Sequence, residues 1–347
     1  MRRLILPLVA CLLALSPVPQ ARVEQFYAAQ WYPTLQPLLT GASNVSPFAW
    51  LDVLLVVTGA AVLVASVRAW RQTRGGRWRR AGSVTLCLLR AASVIYLAFL
   101  LLWGFNYRRT PAVERLQVSR ARMTSERLAR LGALATRRVN ALYDPSRDAA
   151  RLAGEPVSAA LAPAFAQAEA ALGSGWHITP GRPKSSLVGR TFPLSGVDGM
   201  VNPFGLEVIL NAEVLPFERP FVLAHEWAHL AGHAPEDEAS FVGFVACLQG
   251  TRDTQYSGWL DLWLHVLRNL PAPDRQGLLQ ALHGGPRQDL RAIEARLRRV
   301  KPALSGVSWS VYDQYLRANR VTSGVANYDE MVSLVLGSPL MAPVIDQ

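Results

Sequence analysis

Two apolar runs, residues 50–67 and 84–103, constrain this chain more than anything else in it. Each is about the 20 residues a helix needs to cross a bilayer. Between them lies a block of arginines, Arg68, Arg71, Arg74, Arg77, Arg79 and Arg80, with no acid to interrupt it. Trp50, Trp70, Trp78 and Trp103 stand at the ends of the runs, where an aromatic belt places amphipathic rings at the membrane–water boundary. Arg90 falls near the start of the second run, within reach of the interface by snorkelling. Positive charge is retained on the cytoplasmic side, so residues 68–80 are expected as a cytoplasmic loop. Residues 20–48 and everything after about 105 then face outward. Arg108, Arg109 and Arg115 oppose this orientation but are outnumbered by the loop. A third apolar run, residues 4–18, follows Met1-Arg2-Arg3; it is short for a span, and a cleaved signal peptide competes with a first transmembrane segment. Leu8-Val9-Ala10-Cys11 has the look of a lipoprotein box, but the run before it is too short and hydrophobicity continues past Cys11.

These features divide the chain into a membrane anchor, residues 1–110, and an extracytoplasmic domain, residues 111–347, in contact with a lipid bilayer. The net charge of +11 does not argue for nucleic acid: the densest arginines are accounted for by the membrane, and no nucleic-acid-binding module accompanies the rest. Cys11, Cys87 and Cys247 form no CxxC or similar pair, which excludes a disulfide framework and a cysteine zinc site. Residues 120–172 predict two alanine- and arginine-rich helices broken near Tyr143-Asp144-Pro145. Residues 174–217 are rich in Gly and Pro, with β-prone pieces at Ser186-Leu187-Val188 and Leu206 to Leu210 that predict a small sheet or hairpins. Beyond Arg219 the pattern is helical, with breaks at Gly232, Gly250, Pro271, Gly284-Gly285 and Pro302. The fold class is therefore α+β and mostly helical: N-terminal transmembrane helices, then a zincin-like domain with a small β element before the key motif.

That motif is HExxH, at His225-Glu226-Trp227-Ala228-His229, inside an apolar helix with Pro220 near its start and Gly232 just after its end. Two histidines four residues apart project from one helical face and can share a Zn2+ ion. Glu226 leans along the same side, placed as the general base of hydrolysis. A third ligand is needed. The metzincin continuation HExxHxxGxxH fits at Gly232 but fails at Pro235, which cannot ligate, and His233 is out of register. The gluzincin alternative takes a glutamate from the following helix. Glu236 is the favoured ligand there and Glu238 its rival, while Ser240 shares a face with Glu236 as a supporting hydrogen bonder. The remaining acids of Glu236-Asp237-Glu238 complement the helix dipole. His233 is read as a cation at a helix end, with a role supporting the metal ligands as the alternative, and His177, His265 and His283 as structural or surface residues.

Together with this block, several segments resemble a bacterial membrane family known as domain of unknown function 3810. They are Val23-Glu24-Gln25-Phe26-Tyr27, Trp103-Gly104-Phe105-Asn106-Tyr107-Arg108-Arg109, Asn202-Pro203-Phe204-Gly205-Leu206-Glu207, Tyr315-Leu316 and Gly324-Val325-Ala326-Asn327-Tyr328. Where the family commonly shows Asn, this chain has Ser240. The resemblance implies a multi-pass protein of the bacterial inner membrane with a zinc-peptidase signature, and it supplies no substrate. The expected activity is a membrane-anchored zinc metallopeptidase acting on protein or peptide substrates. The alternative is an inactive zinc-binding sensor or scaffold, and intact Glu226 favours catalysis. An intramembrane protease is excluded because the HExxH run is too short to span. Two further roles are expected: a substrate-binding strand edge at Leu206 to Asn211, and an oxyanion donor at Tyr328, with Tyr312 or Tyr315 as alternatives.

Overall fold

The computed structural model describes residues 4–147, 152, 154–303 and 330–346, and is mostly helical with one two-stranded sheet. Among the described residues, two helices are long and apolar enough to span a membrane: α3 (Trp50–Gln72) and α4 (Arg77–Leu102). At ~1.5 Å per residue each exceeds the ~30 Å hydrocarbon core. The arginine block is largely helical, because α3 runs on to Gln72 and α4 begins at Arg77, leaving a turn of only residues 73–76 in place of the longer loop expected. The first apolar run forms α1 (Ile5–Leu15), which is short for a span. It meets the helical stretch Gln20–Val45 at a bend of 111°, and the two qualify as a span only if taken together. That stretch contains a wide-turn π segment, Val23–Trp31, followed by α2 (Tyr32–Val45).

The expected helix pair appears as α5 (Ser125–Leu142) and α6 (Gly154–Ala171). Thr124 caps α5 by accepting from the Arg127 amide, which satisfies one of the amides a helix start leaves open. Leu131, Leu134, Ala135 and Val139 then fall on one buried stripe. The sheet consists of β1 (Gly199–Asn202) and β2 (Glu207–Leu210), antiparallel with Gly199 opposite Leu210. Ser186-Leu187-Val188, read as β-prone, forms a turn instead. Lys184 just before it bridges to Ile209 in parallel fashion, donating its amide to Val208 O and accepting from the Leu210 amide. Both sides of β2 are therefore paired. The free edge expected at Leu206 to Asn211 is not there; among the described residues it belongs to β1.

Helices α7 (Arg219–Leu230) and α8 (Glu236–Leu248) are buried on nearly every face and form the middle of the core. Around them lie α9 (Arg252–Asn269), α10 (Ala272–Ala281), α11 (Gly284–Leu297) and α12 (Glu330–Gly337). The core does not stop at residue 110. Tyr27, Tyr32, Phe99 and Trp103 belong to the same cluster as Trp227, Phe241, Trp263 and Met331. Glu207 fastens the sheet to one of the two long apolar helices: its buried carboxylate accepts from the amides of Trp50 and Leu51 at the start of α3. A carboxylate there both satisfies open amides and complements the helix dipole.

Candidate metal centre

Pro220 opens α7, and Gly232, at φ +84°, ends it in the left-handed conformation that glycine adopts without strain. Between them the helix places His225 and His229 on one face, ring centroids 4.8 Å apart and mutually perpendicular. Gly243 of α8 lets the next helix lie directly against this face: a Cβ there would stand 3.0 Å from His225 N and 3.2 Å from His225 Cα. That close approach brings Glu236, in the first turn of α8, over the histidine pair. Its Oε2 is 3.1 Å from His225 Nε2 and 3.7 Å from His229 Nε2.

The outer nitrogens of both rings are occupied. His229 Nδ1 donates to the His233 carbonyl at 2.8 Å, and His225 Nδ1 lies 3.1 Å from Ser240 Oγ. Such contacts turn the two Nε2 atoms inward, and the carbonyl acceptor keeps a proton on His229 Nδ1. Among the described residues, His225, His229 and Glu236 are the group able to hold a metal ion, with one donor atom from each lying within 4.8 Å of the others. Two imidazoles and a carboxylate make a donor set suited to Zn2+ with a position left open.

Glu238 is held elsewhere. Its carboxylate accepts from the Ala112 amide at 2.6 Å and pairs with Arg115 at 2.6 Å, fixing the segment after α4 to α8. The reading of Glu238 as a rival ligand is therefore corrected by the partners that claim both of its oxygens. His233 differs too. Burial, with Arg115 adding to it, pushes its ring down to about 4 despite Glu238, so it is neutral rather than a helix-end cation. Its contribution to the site is its backbone carbonyl. Tyr312, Tyr315 and Tyr328 lie outside the described residues.

Burial sets the electrostatics. It raises the Glu226 carboxyl to about 8; His229 works against this shift, and Glu236 and Asp198 add to it. Burial also works against the charge on Glu236, yet His229 and His225 hold its carboxyl well below the usual range. His229 is raised to about 9, because Glu236 and Glu226 outweigh the burial of its ring. Burial holds the neighbouring His225 ring below its ordinary value, so the positive charge that the pocket stabilises in the protein alone is a proton on His229. Glu226 Oε2 is buried with no hydrogen-bond partner among the described residues. An orphaned buried carboxylate oxygen is costly, and it calls for a water or substrate atom from the cleft.

Sequence patterns did not single out several residues that build the site. Gly199 of β1 lies against Glu226: a Cβ there would come within 2.5 Å of Oε1. Arg296 of α11 pairs with Asp198, just before β1, and with Glu218, just before α7, at 2.9 Å to the latter. It thereby holds the hairpin against the HExxH helix. Three carbonyls at the end of α7 and just beyond take side-chain donors from the first third of the chain. Trp103 Nε1 donates to His229 O, Tyr32 OH to Leu230 O, and Arg109 to Gly232 O. Trp103 and Arg109 stand in a segment that carries the family resemblance, though not as residues of the site, and the sequence did not mark Tyr32.

A family model described as "Protein of unknown function (DUF3810)" matches residues 27–336, nearly the whole chain. The chain therefore belongs to that family. No curated protein and no solved structure matches it.

Proposed function

We propose that this member of the DUF3810 family is a membrane-anchored zinc metallopeptidase, with His225, His229 and Glu236 as the metal ligands and Glu226 as the general base. The observation that carries the reading is the meeting of these four side chains. Three donors converge from two helices, and beside them stands a buried carboxylate with an oxygen left unpartnered. A Zn2+ ion held by such ligands supplies a Lewis acid that polarises a carbonyl and acidifies water. Glu226, raised toward neutral pH, is matched to accept a proton from the attacking water and return it to the leaving amine. A site that only bound metal would have no use for such a group. Ser240 and the His233 carbonyl orient the two imidazoles, and Arg296 and Gly199 set the hairpin close to Glu226. Extended peptide is proposed to lie along β1, whose outer side pairs with no strand among the described residues. With residues 73–76 on the cytoplasmic side, the cleft faces the periplasm or cell exterior.

The test uses the full chain in detergent or lipid. Purified protein should hold about one zinc per molecule and cleave members of a broad peptide library. Glu226→Gln should keep the zinc and abolish cleavage. Wild-type protein that binds no zinc would overturn the metal site. Zinc without cleavage would favour the sensor.

A further inference from the structure

Helix α2 is built inside out. The residues it buries are Tyr32, Gln36, Thr40 and Ser43, and each finds a polar partner within the protein. Gln36 exchanges hydrogen bonds with the backbone of Thr179, and Thr40 Oγ1 donates to Leu206 O. Ser43 receives the Lys184 ammonium. The side turned outward carries Leu38 and Val45, with Phe26 and Trp31 on the preceding π segment and Phe48 just after the helix; Leu38 is 67% and Val45 86% exposed. A helix on a water-facing surface shows the opposite arrangement, with its apolar stripe inward and charge outward. Charge is missing altogether here: residues 25–51 contain no Asp, Glu, Lys, Arg or His. A water-facing surface typically carries about a quarter to a third charged residues.

The ends of this face identify what covers it. Trp31 Nε1 donates to Leu101 O, in the last turn of the span α4. At the other end, Val45 and Phe48 lead directly into Trp50, the first residue of the span α3. The apolar face is thus continuous with the outer ends of both membrane helices, and its aromatics are of the kind that settle at the headgroup level.

We infer that the outer face of residues 26–48 is a lipid-contacting surface, bedded in the interfacial layer of the bilayer beside the two spans. Its polar inner side carries the hairpin. Thr40 and Ser43 touch Leu206 and the Lys184–Glu207 pair directly, so β2, with β1 and Glu226 behind it, is seated on the membrane. An uncharged interfacial helix buries its apolar side a few ångströms below the headgroups, roughly 5–10 Å.

The test needs neither zinc nor peptidase activity, so its failure and that of the proposed function are distinguishable. Cys11, Cys87 and Cys247 are replaced in the full chain, and single nitroxide labels are placed at Leu38, Val45 and Phe48. The protein is reconstituted in phosphatidylethanolamine–phosphatidylglycerol nanodiscs. Collision with oxygen, which concentrates in lipid, is compared with collision with a water-soluble nickel chelate. Leu55 in α3 serves as the lipid reference and Leu279 in α10 as the water reference. The oxygen-to-nickel ratio at the three sites should lie several-fold above that at Leu279 and approach that at Leu55. A ratio equal to that of Leu279 would overturn the inference, because the face would then be in water. Low collision with both reagents would also overturn it, showing a second copy or another protein covering the face. Because labels at three exposed positions are read separately, one variant that fails to fold does not leave the outcome open.

Discussion

Replacing Glu207 by Gln tests whether the sheet beside the candidate site is clamped to the long apolar helix α3. The Glu207 carboxylate is 1% exposed and serves two ends of the structure at once. Oε1 accepts from the Leu51 amide at 2.7 Å and from Asn202 Nδ2 at 3.0 Å. Oε2 accepts from the Trp50 amide at 2.9 Å and pairs with the equally buried Lys184 at 3.1 Å. Glutamine keeps the volume but turns one acceptor into a donor facing donors, and it leaves the Lys184 ammonium without its counter-charge. Breaking a buried ion pair from one side costs about 3–5 kcal/mol. At roughly 2–4 °C per kcal/mol for a domain of a few hundred residues, Tm should fall by about 6–20 °C. Thermal unfolding of the full chain in detergent, followed by tryptophan fluorescence, reads the shift. Lys184→Met should cost less, since Glu207 would keep the Trp50, Leu51 and Asn202 donors. The double variant should lose clearly less than the sum of the singles, because the two residues act on one another. A Glu207→Gln Tm within about 2 °C of wild type, less than the effect of 1 kcal/mol, would refute the clamp. So would strict additivity in the cycle.

Gly199→Ala puts a methyl group 2.5 Å from Glu226 Oε1, so the carboxylate or β1 must retreat by close to an ångström. On the proposed reading, displacement of that order in the general base should cost about 100-fold in rate, while zinc binding by His225, His229 and Glu236 should be unchanged. Undiminished peptide cleavage by this variant would remove Glu226 from the reaction. Burial raises Asp261 of α9 to about 8, with Arg268 opposing and Glu218 and Asp198 adding to the shift. A carboxyl raised in the folded state favours folding while protonated, so its contribution is full below the ordinary carboxylate range and is lost as pH rises through about 8. Asp261→Asn should therefore unfold at a higher temperature than wild type at pH 8–9, with a flatter profile from pH 5 upward; equal profiles would contradict this.

Local features of the sequence were enough to place much of this protein. The two helices long and apolar enough to span follow from run length and arginine flanks, because a helix in hydrocarbon must be long and apolar whatever surrounds it. His225, Glu226 and His229 share a face through the four-residue period of one helix, and Pro220 and Gly232 mark its ends. The α5–α6 break and the hairpin region follow from turn residues in the same way. What the tertiary structure decided depends on contacts far apart in the chain. Glu236 rather than Glu238 faces the histidines because Ala112 and Arg115, more than 120 residues earlier, take up the Glu238 carboxylate. Among the described residues the open strand edge is β1, because Lys184 has already paired with β2, a bridge that no strand propensity encodes. The outward apolar face of α2 has the same origin. Its polar residues are turned inward by Thr179, Leu206 and Lys184, and a periodicity that shows two faces does not say which of them meets the protein.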